Sequence, residues 1–247
     1  MPIVDRNSVF ARVDFAGGWL DVPRLARHDG FVVNCSVTPR HHFPEDRHWR
    51  EYRGMGGSGA LAIYKHLVEG KTWPSATRLA IASEMKAGGG WQDPAIVAEG
   101  GCCVWRSGPR PFLEHKNGGE WLEDRMFVVN SGQLRPAIFI PGKSQDYDAI
   151  VAASQLAAAA VVDRDVSGLA NAIRATCQVQ LAEGMDDVSQ QPRMELVCQR
   201  YSYVWKYLGA GWGGALLMFF PREKPVGPWA WMKKVYPRSH YSFKDDD

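Results

Sequence analysis

The chain has 247 residues, of which 45% are hydrophobic and 23% charged, and its formal net charge is +2. That composition suits a globular protein with enough apolar content for one large domain or two small ones, and no basic stretch dominates that would hold nucleic acid. The five cysteines are odd in number and include no Cys-x-x-Cys pair, so neither a disulfide framework nor a zinc site is indicated. No apolar signal region opens the chain and no apolar run is long enough to cross a bilayer, so the expectation is a cytoplasmic protein without a membrane partner.

In chain order, Val9–Phe15 alternates apolar and polar residues and predicts a strand, which runs into the turn Ala16-Gly17-Gly18-Trp19-Leu20-Asp21. Phe31–Val37 predicts a second strand. The polar stretch 41–53 carries His41, His42 and His48, which offer no helical i, i+4 pair for a metal. Next comes Arg53-Gly54-Met55-Gly56-Gly57-Ser58-Gly59, directly before a helical pattern over Ala60–Leu67. Glycines opening a helix allow close backbone approach and present outward N–H groups at the positive end of the helix dipole, which suits phosphate. A flexible turn capping an ordinary helix explains the same residues equally well.

Ser75–Lys86 predicts another helix with Glu84 near its end. Gly88-Gly89-Gly90-Trp91-Gln92-Asp93-Pro94 then leads into a short helix, with Pro94 in the first turn and Asp93 at the N-cap. Cys102–Arg106 and Met126–Ser131 predict strands, and Arg135–Ile140 offers another. The last third turns helical: Asp146–Val162, Val166–Glu183 and Pro192–Tyr207 are predicted helices. The glycine-rich stretch Gly209–Gly214 follows and leads into an apolar strand, Ala215–Phe220. Trp229–Trp231 and Val235–Tyr236 are expected to pack, and Lys244–Asp247 to form a solvated tail. The shift in character near Gly142–Gln145 gives the domain boundary.

Read together, three of these segments resemble the signature motifs of the GHMP small-molecule kinases, in the family's order. Arg12-Val13-Asp14-Phe15-Ala16-Gly17-Gly18-Trp19-Leu20-Asp21 is similar to the first motif of the branch acting on heptose phosphates and fucose, Arg-Ile-Ser-Phe-Ala-Gly-Gly-Gly-Thr-Asp. Gly54–Ala60 resembles the phosphate loop, and Gly209–Gly214 the third motif. Gly90-Trp91-Gln92-Asp93 looks like that branch's Gly-x-Gln-Asp-Gln-Tyr segment, Gly100-Gly101 like the glycine pair that follows it, and Ser131-Gly132-Gln133-Leu134-Arg135-Pro136-Ala137 like its Thr-Gly-x-x-Arg-x-Ala segment.

The resemblance implies an α+β fold of two lobes. The β-rich N-terminal lobe (1–142) would hold the phosphate loop and the catalytic Asp. The C-terminal lobe (143–247) would be ferredoxin-like and helical. It implies ATP and Mg²⁺ as cofactors and a small-molecule sugar or sugar phosphate as acceptor. Asp93 matches the family's catalytic aspartate and Arg12 an arginine beside it. Ser58 and Glu84 match the Mg²⁺ ligands, both hard oxygen donors. Gly54, Met55, Gly56, Gly57, Ser58 and Gly59 would hold phosphate. Asp21, Gly18, Arg135, Gly209, Gly211 and Gly213 would meet the substrate. Each has a plainer reading: Asp93 an N-cap, Arg12 a surface strand residue, Glu84 a solvated helix carboxylate, Asp21 a turn residue, Gly209–Gly214 a helix C-cap, and Arg135 one half of a surface ion pair.

The sequence also departs from the pattern. Gly57 stands where the family has its first serine, Trp19 and Leu20 replace Gly and Thr, and Pro94 replaces Gln. Only Val22 to Arg53 lies between the first two motifs, where the family places several strands and a helix that form much of the adenine pocket. A reduced pocket using Trp49, Tyr52 or Trp73 is the expectation. Two functions therefore stand: a Mg²⁺- and ATP-dependent sugar kinase, and a trimmed kinase-like protein that binds a sugar, a nucleotide or a protein without transferring phosphate. Oligomeric state is open.

Overall fold

The computed structural model of the chain describes residues 8–43, 53–133, 145–225 and 231–238. Arg135, His48, Trp49, Tyr52, the offered strand Arg135–Ile140, the boundary residues 142–144, Trp229 and the C-terminal tail lie outside those residues. Among the described residues are nine strands in two antiparallel sheets and six α-helices, a mixed α+β architecture.

The first sheet is built from β1 (Ser8–Ala16), β2 (Phe31–His42), β3 (Cys102–Arg106) and β4 (Phe112–Asn117), in that order. β2 is much longer than its apolar run predicts and carries on through His41 and His42. The two histidines fall on opposite faces, His41 buried and His42 exposed. β4 was not anticipated, because Phe112–Asn117 is mostly polar and only partly buried. The second sheet takes β5 (Met126–Asn130), β6 (Val204–Tyr207), β7 (Ala215–Phe219) and β8 (Met232–Lys234) in the order β6-β7-β5-β8. β5 precedes residue 142 yet pairs with β7. The short β9 (Tyr236–Pro237) returns to pair with β2 in the first sheet. The two halves of the chain thus exchange strands.

Three helices pack on the first sheet: α1 (Gly57–Val68), α2 (Trp73–Lys86) and α3 (Gln92–Glu99). Ile63, Ala80, Trp91 and Ile96 are fully buried with them in one core. α4 (Tyr147–Asp163) and α5 (Val166–Ala182) are alanine-rich, and each starts on an aspartate whose side chain accepts from a first-turn amide, Asp146 from Ala149 and Asp165 from Ser167. Their buried alanines share a second core with Val13, Phe15 and Val33 of the first sheet and Val128, Leu217 and Phe219 of the second. The small side chains of α4 and α5 let the two sheets approach the same helical layer.

The predicted helix Pro192–Tyr207 is corrected. α6 covers only Pro192–Cys198, and Val204–Tyr207 is strand β6. The β-branched and aromatic run Tyr203-Val204-Trp205 favours a strand, and pairing with β7 decides it.

Candidate active site

The polar residues of β1 are the starting point. An alternating strand predicts Arg12 and Asp14 facing water, but they are 2% and 1% exposed. They lie on one face of β1, two residues apart, and pair with each other, Arg12 Nη1 to Asp14 Oδ1 at 2.6 Å. On its other side Asp14 pairs with Lys206 of β6, itself 1% exposed, whose ammonium also donates to the Asp14 carbonyl at 3.0 Å. The Gly209 amide donates to Asp14 Oδ1 at 2.8 Å. Burial pushes the Asp14 carboxyl up, but Lys206 and Arg12 outweigh it and hold the group below its ordinary value. Burial pulls the Lys206 ammonium down, and Asp14 offsets only part of that. Asp14 and Lys206 were missed at the sequence level. Their only signal is the charged side chain flanked by apolar neighbours in each strand.

Arg12 also faces the other way. Its Nε and Nη2 both reach Asp93 Oδ1, at 2.7 and 2.6 Å, and its Nη1 donates to the Gly54 carbonyl at 2.6 Å. Burial lowers the Arg12 pKa, while Asp93 and Asp14 more than restore it. Arg12 is therefore no surface strand residue. Nor does Asp93 cap α3: the N-cap is Trp91, the helix starts at Gln92, and Asp93 sits in its first turn with Arg12 on one oxygen. The other oxygen, Oδ2, faces the Ser58 hydroxyl at 3.4 Å.

The glycine loop closes the arrangement. α1 begins three residues earlier than the apolar pattern predicts, so Gly57, Ser58 and Gly59 form its first turn behind Gly56, and no side chain caps that end. The Ala60 amide is the first to bond back, to Gly56 O at 3.0 Å; the three amides before it are ones a helix cannot satisfy internally. The closeness of the parts dictates the glycines. A Cβ on Gly59 would lie 2.7 Å from the Asp93 Cβ, and one on Gly56 would lie 2.7 Å from Arg12 Cγ. The third glycine stretch follows strand β6 rather than a helix, which removes the C-cap reading. It abuts the first loop: a Cβ on Gly209 would lie 3.1 Å from the Gly54 Cα, and one on Gly54 would lie 2.6 Å from Leu208 O. Gly211 instead backs onto Met185, and Gly213 adopts φ +112° in the same turn.

Two further carboxylates feel Asp93. Glu84, near the end of α2, is pushed up to about 7 by burial and by the Asp93 charge, with the Ser58 hydroxyl drawing it partly back. Asp21 is 3% exposed and likewise pushed up to about 7, by burial first and Asp93 second. Its oxygens accept from the Gln92 amide (3.2 Å) and side chain (3.1 Å), so it braces the start of α3. Among the described residues no group of three His, Cys, Asp or Glu side chains could hold a metal ion by itself. The hydroxyl of Ser58 and the carboxyl of Glu84 fit Mg²⁺ in its usual manner, one or two protein oxygens completed by phosphate and water.

Gly18 and Gly209 line a small open-mouthed cavity, together with Trp19, Asp14, Lys206 and the face of α5 bearing Thr176 and Gln180. Trp19 has φ +79°, a left-handed conformation unusual for a bulky side chain, at the position where the resembled motif has glycine.

Neither a family model nor a curated protein matches this chain. Solved structures do. A putative sugar kinase from Campylobacter jejuni aligns over 87% of this chain and 88% of its own, at 17% identity and a TM-score of 0.55. The Lactococcus lactis galactokinase complexed with galactose aligns over 87% and 85%, at 10% identity and a TM-score of 0.60. The Methanococcus jannaschii mevalonate kinase aligns over 88% and 90%, at 10% identity and a TM-score of 0.60. The chain shares the GHMP-kinase fold. Among the described residues no helix is long and apolar enough to cross a membrane.

Two outcomes follow from the buried charges. Removing the Asp14 charge strands Lys206, so Asp14→Asn should cost about 3–5 kcal/mol in urea unfolding, while the apolar pair Asp14→Leu with Lys206→Met should recover most of it; equal losses in both variants would contradict the pairing. Asp21 has a folded pKa of about 7, above its ordinary 3.8. Its protonated form is therefore favoured by folding, and its contribution is complete below the unfolded value and lost as pH rises through about 7. Across that window wild type should lose more stability than Asp21→Asn, and parallel profiles would refute the assignment.

Proposed function

We propose that this chain is an ATP- and Mg²⁺-dependent phosphotransferase whose acceptor is a hydroxyl of a sugar or sugar phosphate. The observation that carries the reading is the position of Asp93: one oxygen held by Arg12, the other turned to Ser58 on the uncapped first turn of α1. A carboxylate steadied on one side and open on the other suits a general base for an acceptor hydroxyl. The fold shared with kinases of sugars and mevalonate supports it, as does the Streptococcus pneumoniae phosphomevalonate kinase, similar at a TM-score of 0.56 and solved with phosphomevalonate and AMPPNP.

Each residue then has a task. The amides of Gly57, Ser58 and Gly59 bind phosphate at the positive end of α1, with Gly54, Met55 and Gly56 shaping the approach. Ser58 and Glu84 hold Mg²⁺, which neutralises charge on the phosphates when bound. Arg12 holds Asp93 in place through Oδ1, and Asp93 Oδ2 takes the acceptor proton. Asp21, engaged by Gln92, fixes the start of the helix that carries Asp93. Gly18, Gly209, Gly211 and Gly213 shape the acceptor side, and Arg135 is assigned there by resemblance alone. The site lies where β1 of the first sheet meets β6 of the second, and a cytoplasmic location suits the substrates.

Mg-ATP at a hundred times its dissociation constant should add ~2.7 kcal/mol to stability, read as a rise in melting temperature. A flat melting temperature at millimolar Mg-ATP leaves a non-catalytic kinase-like binder as the better reading. Asp93→Asn should lower phosphate transfer by about two orders of magnitude or more while that thermal response persists. Unchanged turnover would remove Asp93 as the base.

A further inference from the structure

Arg12 meets Asp93 in an offset manner. A guanidinium edge and a carboxylate commonly pair as two forks, one nitrogen to each oxygen. Here both nitrogens of the edge address the same oxygen: Nε donates to Asp93 Oδ1 at 2.7 Å, and Nη2 lies 2.6 Å from it. Asp93 Oδ2 is left to the Ser58 hydroxyl at 3.4 Å. The guanidinium is therefore displaced along the carboxylate rather than squared against it.

The displacement has a cause at the third nitrogen. Nη1 donates to Asp14 Oδ1 and to the Gly54 carbonyl, each at 2.6 Å. A planar guanidinium moves as one body, so whatever holds Nη1 sets where Nε and Nη2 lie. Of its two holders Asp14 is the firmer. Gly54 belongs to a loop and has φ +105°. Asp14 lies within strand β1, is 1% exposed, and has both carboxyl oxygens engaged. The Gly209 amide donates to Oδ1 at 2.8 Å, while the Lys206 ammonium pairs with Oδ2 and donates to the Asp14 carbonyl at 3.0 Å. Asp14 is thus clamped between β1 and β6. It stands where the resembled motif has serine, and a single hydroxyl oxygen could not hold Arg12 and Lys206 from separate sides.

We propose that Asp14, clamped by Lys206, is a positioning residue: it holds the Arg12 guanidinium displaced along Asp93, so that Arg12 takes one carboxyl oxygen and leaves the other to the acceptor hydroxyl. Without that hold the guanidinium slides into two-forked pairing and covers both oxygens of Asp93. The proposal rests on the phosphotransferase reading for the acceptor, whereas the hold on Arg12 is geometric and stands apart from it. Because Asp14 also receives the Gly209 amide, the residue that sets Arg12 is the one that anchors the third glycine stretch.

A single change at Asp14 strands the Lys206 ammonium, so the test changes both residues, in the full chain, in two ways. Asp14→Leu with Lys206→Met removes the acceptor that holds Arg12. Asp14→Asn with Lys206→Gln is the conservative rescue, since the Asn carbonyl can still receive Nη1 and the Gly209 amide and the two amides can bond to each other. Crystal structures of both pairs, the Mg-ATP thermal response, and ADP release from Mg-ATP with D-galactose, L-fucose and their 1-phosphates are the readouts. In the Leu/Met pair Arg12 should place one nitrogen on each Asp93 oxygen and the Ser58 contact should be lost. Its kcat should fall about tenfold or more, with the KM for Mg-ATP within about twofold and the thermal response intact. The Asn/Gln pair should keep the offset pairing and recover most of that kcat. A Leu/Met pair whose Arg12 stays on Oδ1 alone, or whose kcat equals that of the Asn/Gln pair, would overturn the proposal, as would a rise in KM at constant kcat. The two readings fail separately. A wild type with neither thermal response nor ADP release removes the phosphotransferase, while the crystal structures still decide the hold on Arg12; a Leu/Met pair as active as wild type removes the positioning role and leaves the phosphotransferase standing.

Discussion

The arrangement depends on one buried ion network. Lys206, Asp14, Arg12 and Asp93 form a chain of alternating charge running from β6 of the second sheet, through β1 of the first, to the first turn of α3. Each internal member is satisfied on both sides, which is the condition under which buried charge is tolerated. The network also fixes geometry. Arg12 offers its guanidinium in a planar fork, so holding Asp14 with one nitrogen determines where the other two meet Asp93. A carboxylate that would otherwise swing freely at a helix start is held in one orientation, with one oxygen committed to Arg12 and the other facing the Ser58 hydroxyl.

Close approach of backbone follows from that network. Gly56 and Gly59 stand where a side chain would strike Arg12 or Asp93, and Gly54 and Gly209 meet nearly backbone to backbone. The glycine stretches 54–59 and 209–214 are thus parts of one contact region rather than separate turns. Because the Gly209 amide donates to Asp14, the third stretch is tied to the same charges. The uncapped end of α1 is delivered to Asp93 by these contacts, which is why Ser58 lies beside the carboxylate rather than out in solvent.

Asp21 and Glu84 stand beside this network, each raised by burial and by Asp93. A protein carries such imbalances at sites where something else completes them. Here the raised carboxyl groups, Asp21 and Glu84, both lie within reach of the Asp93 charge.

Much of this was legible in the sequence, because the motifs are local. A glycine run before a helix, an Arg at the head of a strand-and-turn motif, and an Asp beside a proline each announce themselves within ten residues. The helices with strong alanine content and aspartate caps were also legible, since propensity and capping act over one or two turns. What the sequence left undecided depended on pairing between distant segments. Val204–Tyr207 becomes a strand because β7 receives it, Asp14 is interior because Lys206, 192 residues away, supplies the opposite charge, and Arg12 because Asp14 and Asp93 do. Glu183 read as the end of a helix; only packing places it in the wall of a cavity. Local chemistry therefore sets which groups are present, and tertiary contact alone decides which of them are left with an unmet charge or bond.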